Sequence, residues 1–290
     1  MSVERSRPLS RLLQRLALEP LDRDLFLGEA GSGEGRLFGG VVAAQAVVAA
    51  GRTVEEGSLH SLHAYFLRPG RPGRPLRLVV DRIRDGHTFT TRRVVVHQGG
   101  EAILNLSASF ARDEAGIEHQ APMPAAPDPE TVPDWEDVRA AALGDPALRR
   151  RDGPVEVRVC DPDDPLRGPQ EPRKRVWLRT RGPLPDDPLL HAALLVYASD
   201  RTLLSTAARP HALDRAHRMA ASLDHAMWLH GPGRFEGWIL YASESPVARH
   251  ARGLVLGAMF SRAGQRIASV AQEGLIRVRS AMRSAPGGEH

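Results

Sequence analysis

The chain has 290 residues, 42% of them hydrophobic, with a formal net charge of +4 and a pI near 9.9. That length fits one large or two ordinary domains with a real core, and no apolar run is long enough to span a membrane. Lys174 is the sole lysine and the arginines are scattered without aromatic interleaving, which argues against a nucleic-acid partner. The sole cysteine, Cys160, excludes an internal disulfide and a cysteine-built metal site.

The first stretch, Met1 to Pro20, spaces Leu9, Leu12, Leu13 and Leu16 as an amphipathic helix. It lacks the apolar centre and cleavage site of a signal peptide, so a cytoplasmic protein is expected. The run Gly31-Ser32-Gly33-Glu34-Gly35 lacks the Lys-Ser/Thr end of a phosphate-binding loop and reads as a flexible loop. Gly39 to Val54 is nearly all small or apolar, the mark of a helix buried on every side. Strand-like runs follow at Leu76–Ile83, Thr88–His97 and Ala102–Phe110. His60 and His63 lie three apart in a further strand-like run and so face opposite ways, which excludes a metal pair.

From Ala111 to Pro133 the composition turns to Pro, Ala, Asp and Glu, and regular structure is not expected. A second loop-rich patch runs from Asp145 to Pro172, and within it Cys160 follows the alternating Val155, Val157 and Val159 as a small buried or edge side chain. A second apolar helix is expected at Pro188–Leu204, with strands at Ala220–Leu229, Gly237–Glu244, Gly253–Phe260 and Arg266–Arg279. The expected organisation is α+β: a module at 1–115, a linker at 116–150 and a second module at 151–290. One buried helix wrapped by an antiparallel sheet is the hotdog plan, so the chain reads as a double hotdog with two such sheets.

The halves also match in letters. Val48 to Val54 aligns with Tyr197 to Leu203, His63 to Leu67 with His225 to Leu229, and Gly100 to Ala108 with Gly264 to Gln272. Three matches in one order indicate duplication. The copies differ at three polar places: Asp200 stands opposite Gly51, Ser222 opposite His60, and Gln272 opposite Ala108.

Asp200 lies on the helical row Leu190, Ala193, Tyr197, Asp200, Leu204, near a helix C-terminus. Burial and the helix dipole both raise its pKa, while hydrogen bonds to the charged form lower it. The competing reading is an aspartate turned to the surface at the helix end. A hydroxyl and a primary amide beside a carboxylate can orient a water while the carboxylate takes its proton. A triad from Ser222, Asp224 and His225 is disfavoured, because in one strand His225 faces away from the other two. The chain has no nucleophile elbow around a serine and no His-Glu-x-x-His motif.

Taken together, the residues resemble the acyl-CoA thioesterase II family over nearly the whole chain. The first half carries Phe38-Gly39-Gly40, Leu59-His60-Ser61, Tyr65 to Gly70, Arg84-Asp85-Gly86 and Ala108-Ser109-Phe110. The second carries Leu184 to Asp187, Tyr197 to Asp200, Leu223 to Trp228 and Gln272-Glu273-Gly274. In that family an Asp, a Thr or Ser, and a Gln hold the hydrolytic water, which falls here on Asp200, Ser222 and Gln272. Serine at 222 keeps the hydroxyl of the commoner threonine but loses the methyl that stiffens its rotamer.

The resemblance implies attack of water on the thioester of fatty acyl-CoA, with no covalent acyl-enzyme and no cofactor or metal. Backbone N–H groups at Gly39-Gly40, or after Asp187, are candidate oxyanion donors. His60 either lines the cleft from the first module or is a hydrogen-bonded structural histidine. A homo-oligomer, dimer or tetramer, is expected. The alternatives are a hotdog hydratase or dehydratase, which wants an Asp and His pair, and a non-catalytic acyl-CoA binding protein.

Overall fold

The apolar composition of two helices dictates the architecture. α1 (Val3–Leu16), α2 (Gly39–Gly51), α3 (Trp135–Ala142) and α4 (Pro188–Ser199) are joined by strands and loops. α2 is buried from Gly40 to Ala50, and α4 from His191 to Ser199. A helix without a polar face must be enclosed, and here a sheet encloses both. The structure is a computed structural model that describes residues 3–142, 144, 153–163, 168–212, 218–231 and 233–278.

In the first half the strands are β1 (Glu19–Asp22), β2 (Leu25–Gly28), β3 (Ser58–Phe66), β4 (Leu76–Asp85), β5 (Phe89–Gln98) and β6 (Glu101–Ala111). In the second they are β7 (Val155–Val159), β8 (Arg173–Thr180), β9 (Arg218–Ser222), β10 (Asp224–Leu229), β11 (Ile239–Arg249), β12 (Arg252–Ser261) and β13 (Arg266–Val278). All pair antiparallel, in the order β1-β2-β4-β5-β6-β3-β10-β13-β12-β11-β8-β7, with β9 also on β13. The two sheets of the double hotdog are therefore continuous, joined where β3 meets β10.

That join is symmetric. His63 stands opposite Ala226, and Ala64 opposite His225. In the repeat alignment His63 matches His225 and Ala64 matches Ala226, so each pair is the image of the other. Inside, α2 and α4 run antiparallel. The start of α2 meets the end of α4, since a Cβ on Gly40 would lie 2.8 Å from the Tyr197 carbonyl oxygen. The end of α2 likewise meets the start of α4 at Gly51 and Leu189.

Several boundaries differ from the sequence reading. α2 stops at Gly51 rather than Val54. α4 stops at Ser199, with Asp200 as its C-cap, and a 3-10 helix follows at Leu203–His211. Asp200 therefore caps the helix instead of lying within its apolar row. The run 220–229 is two strands, not one. It breaks at Leu223, whose N–H donates to the Glu273 carbonyl and whose carbonyl accepts from Phe66 N–H. Composition did not reveal β1 and β2, of four residues each, or β8, whose buried Val176, Trp177 and Leu178 run together instead of alternating.

The Pro-rich connection has no regular structure from Arg112 to Asp128, but Pro129–Thr131 forms a 3-10 turn and α3 follows. It straps the outer face of the second half. Trp177 Nε1 donates to the Pro127 carbonyl (2.9 Å) and Trp238 Nε1 to Glu130 Oε1 (2.8 Å). Met123 and Ala126 cover the cluster Trp177, Trp238, Leu240 and Phe260. α1 buries Leu9, Leu12 and Leu16 as its spacing required. Cys160 is half-buried and burial pushes its thiol up to about 11, so no reactive thiolate forms there. Among the described residues no helix is long and apolar enough to cross a membrane. The junction drawn at 150/151, the strand end at Arg279 and the last residues of the chain lie outside the described residues.

Candidate active site

The end of α4 delivers Asp200 to the start of α2. Asp200 Oδ1 accepts from Gln272 Nε2 at 2.8 Å and from Ser222 Oγ at 3.2 Å. The backbone N–H of Gly40 donates to the same carboxylate. Its Oδ2 faces Gly39, where a Cβ would stand 3.1 Å away. Ser222 ends β9 opposite Gly274 of β13, and Gln272 lies two residues along β13 on the same side. The structure thus brings Asp200, Ser222, Gln272, Gly39 and Gly40 together.

Two helix ends act on this carboxylate with opposite sign. The C-terminus of α4 disfavours its charge, and the N-terminus of α2 favours it. α2 has Phe38 at its N-cap, with no side-chain cap of its own. Burial dominates the outcome and raises Asp200 from the ordinary 3.8 to about 6, against the hydrogen bonds from Gln272, Ser222 and Gly40.

Asp200 and Ser222 open onto a cleft of about 1130 Å³, whose other wall includes Phe38, Gly39, Val42 and Phe66 from the first half. Trp135 of α3 also faces it. Gln272 stands behind Asp200, fully buried. His60 does not border the cleft. It shares a hydrogen bond of 2.8 Å with Ser109 Oγ and meets the Phe89 ring edge-on, and burial lowers its pKa.

The matching place in the first half is closed. The repeat alignment, carried back along the helices, pairs Gly40 with Leu189 and Phe38 with Asp187, and both members of the second pair are N-caps. Asp187 Oδ1 accepts from the N–H groups of Leu189 (2.9 Å) and Leu190 (3.2 Å). Those donors are taken up by their own cap, whereas the end of α2 has no side-chain cap.

Ser222, Asp224 and His225 do not form a triad. Ser222 bonds Asp200, Asp224 Oδ1 accepts from Glu273 N–H (2.7 Å), and His225 Nε2 lies 2.9 Å from Ser199 Oγ. The separation arises from the break at Leu223 rather than from alternation along one strand. Sequence reasoning gave no role to Ser199, to His225 beyond the disfavoured triad, or to Tyr241, whose hydroxyl donates to the Ser199 carbonyl (3.1 Å). The signals for His225 were the repeat, where it matches His63, and the Leu223 to Trp228 motif.

The fold is a double hotdog with a half-buried carboxylate on its cleft. The family follows from likeness to known proteins. A profile described as acyl-CoA thioesterase matches residues 145–275, and one described as acyl-CoA thioesterase N-terminal domain matches residues 29–111. The chain is 39% identical to human acyl-coenzyme A thioesterase 8, over 91% of this chain and 88% of that protein. It is 38% identical to acyl-CoA thioesterase 2 of Haemophilus influenzae, over 93% and 98%. The crystal structure of an acyl-CoA thioesterase II from Mycobacterium marinum superposes with a TM-score of 0.79 at 40% identity, covering 94% of this chain and 99% of that one. The chain belongs to the acyl-CoA thioesterase family and is a thioester hydrolase.

Proposed function

We propose that this enzyme hydrolyses fatty acyl-CoA to a fatty acid and coenzyme A by direct attack of water, with Asp200 as general base. The observation that carries the reading is the Asp200 carboxylate, raised to about 6 with its Oδ1 held by Gln272 and Ser222. A base with a pKa near the working pH is ionised yet still basic. Oδ2 is left for the water. Ser222, on the cleft wall, orients that water, and Gln272 holds the carboxylate from behind. Asp200 takes its proton as the oxygen attacks the carbonyl carbon. The C–S bond then breaks and the proton passes to the departing thiolate. The N–H of Gly39, in the first turn of α2 and without a partner among the described residues, is the donor for the developing oxyanion.

In this reading the module at 1–115 supplies cleft walls, and the module from 151 onward carries the base. A hydratase needs a histidine at the substrate, but His225 is turned to Ser199 and His60 stands outside the cleft. Thiol release across short, medium and long acyl-CoA substrates tests the activity. Single turnover in ¹⁸O-water tests direct attack: one label per fatty acid is expected, and a trapped acyl-enzyme would overturn the mechanism. The same reading takes the enzyme as a cytoplasmic homo-oligomer, dimer or tetramer. A lone cysteine suits a reducing compartment. Cell fractionation and light scattering check these two points.

A further inference from the structure

Behind the carboxylate lies a second polar group that the proposed reaction does not use. His225 is 1% exposed. Its Nε2 faces Ser199 Oγ at 2.9 Å, while its Nδ1 is buried with no hydrogen bond of ordinary geometry. Gln272 Oε1 is buried and unbonded in the same way. The two residues stand on paired strands, one step along from the pair Ala226 and Ala271. The Gln272 side chain also acts on the ring as a hydrogen-bond partner, raising its pKa against burial. Buried polar atoms are seldom left unmatched, and one proton placed on Nδ1 satisfies both.

We infer that His225 is a positioning residue: its Nδ1–H holds Gln272 Oε1 and so turns Gln272 Nε2 toward Asp200. The inference rests on Asp200 as base. Ser199 Oγ also lies 2.9 Å from the Val196 carbonyl; in this arrangement its one hydrogen turns from that carbonyl to His225 Nε2, His225 donates to Gln272, and Gln272 to Asp200. Ser199 directly precedes Asp200, so the chain of bonds closes on the end of α4. A reversed Gln272 amide would set its oxygen against the carboxylate oxygen and its NH₂ against a donor. Burial lowers the His225 pKa to about 4, which keeps the ring neutral and the single proton assignable.

The tautomer can be read directly, without turnover, from long-range ¹H–¹⁵N spectra of histidine-labelled enzyme at neutral pH. The Nδ1–H form is expected for His225, and the Nε2–H form or an imidazolium would overturn the inference. Kinetics give a second readout. His225→Leu is expected to lower kcat by about tenfold with KM nearly unchanged, whereas His225→Asn, which restores a donor near Nδ1, keeps most of it. In a Gln272→Ala background His225→Leu is expected to cost nothing further. Equal losses in both histidine variants, or additive loss in the double variant, would show a packing role only. If the tautomer is as expected but Asp200→Asn stays fully active, the base assignment fails on its own.

Discussion

Leu189 occupies the space that a side chain at Gly51 would need: a Cβ there would lie 2.3 Å from Leu189 Cδ1. At the mirrored contact Gly40 has no side chain, and its N–H reaches Asp200. The duplicated helix pair thus has one open end and one plugged end. A non-hydrolysable acyl-CoA thioether should bind at one site per chain by calorimetry, and two equal sites would contradict this. Gly51→Asp should create no second site. It should instead destabilise the fold by about 3 kcal/mol or more, because the carboxylate would be forced against Leu189.

The pH dependence follows from the sign of the Asp200 shift. Burial raises its pKa to about 6, and only the carboxylate can accept a proton. The kcat/KM should therefore fall as pH drops through about 6 and level off above it. A profile flat down to about pH 4.5 would remove Asp200 as the base.

Asp200→Asn should lower kcat by about a hundred- to ten-thousand-fold. It should also stabilise the fold above neutral pH. A carboxyl whose pKa rises from 3.8 to about 6 on folding favours the folded state below the lower value, and that contribution is lost as pH rises through the higher one. The gain in melting temperature should be larger at pH 8 than at pH 4, and the opposite order would contradict the shift.

Ser222→Ala removes one donor to Oδ1 and should cost about tenfold in kcat. Ser222→Thr keeps the hydroxyl and narrows its rotamers, so activity should be held or raised. Equal losses in both variants, measured by steady-state kinetics, would mean the hydroxyl has no role.

Gly39→Ala would bring a methyl to 2.8 Å from Phe66 Cε1 and 3.1 Å from Asp200 Oδ2. Such overpacking costs about 1–3 kcal/mol, and the displaced carboxylate should lower kcat more than it raises KM. Thermal melts and steady-state kinetics on the same preparation separate the two effects.

The sequence by itself determined the two enclosed helices, since Gly39 to Gly51 and Pro188 to Ser199 offer water no polar face. It also determined the long strands, whose alternation matches a half-buried pleat. The repeat singled out Asp200, Ser222 and Gln272, because a duplicated fold shows which polar residues it can do without. Only the tertiary structure decided how they meet. The bond from Gly40 to Asp200 spans two helices that run antiparallel across a join far apart in the chain. No local periodicity encodes that contact, nor the strand break at Leu223 that turns His225 toward Ser199. The exclusion of His60 from the cleft and the plugging of the first-half site by Leu189 have the same origin. Which side of a buried helix meets which neighbour is fixed by packing between the halves, and letters along one segment do not carry it.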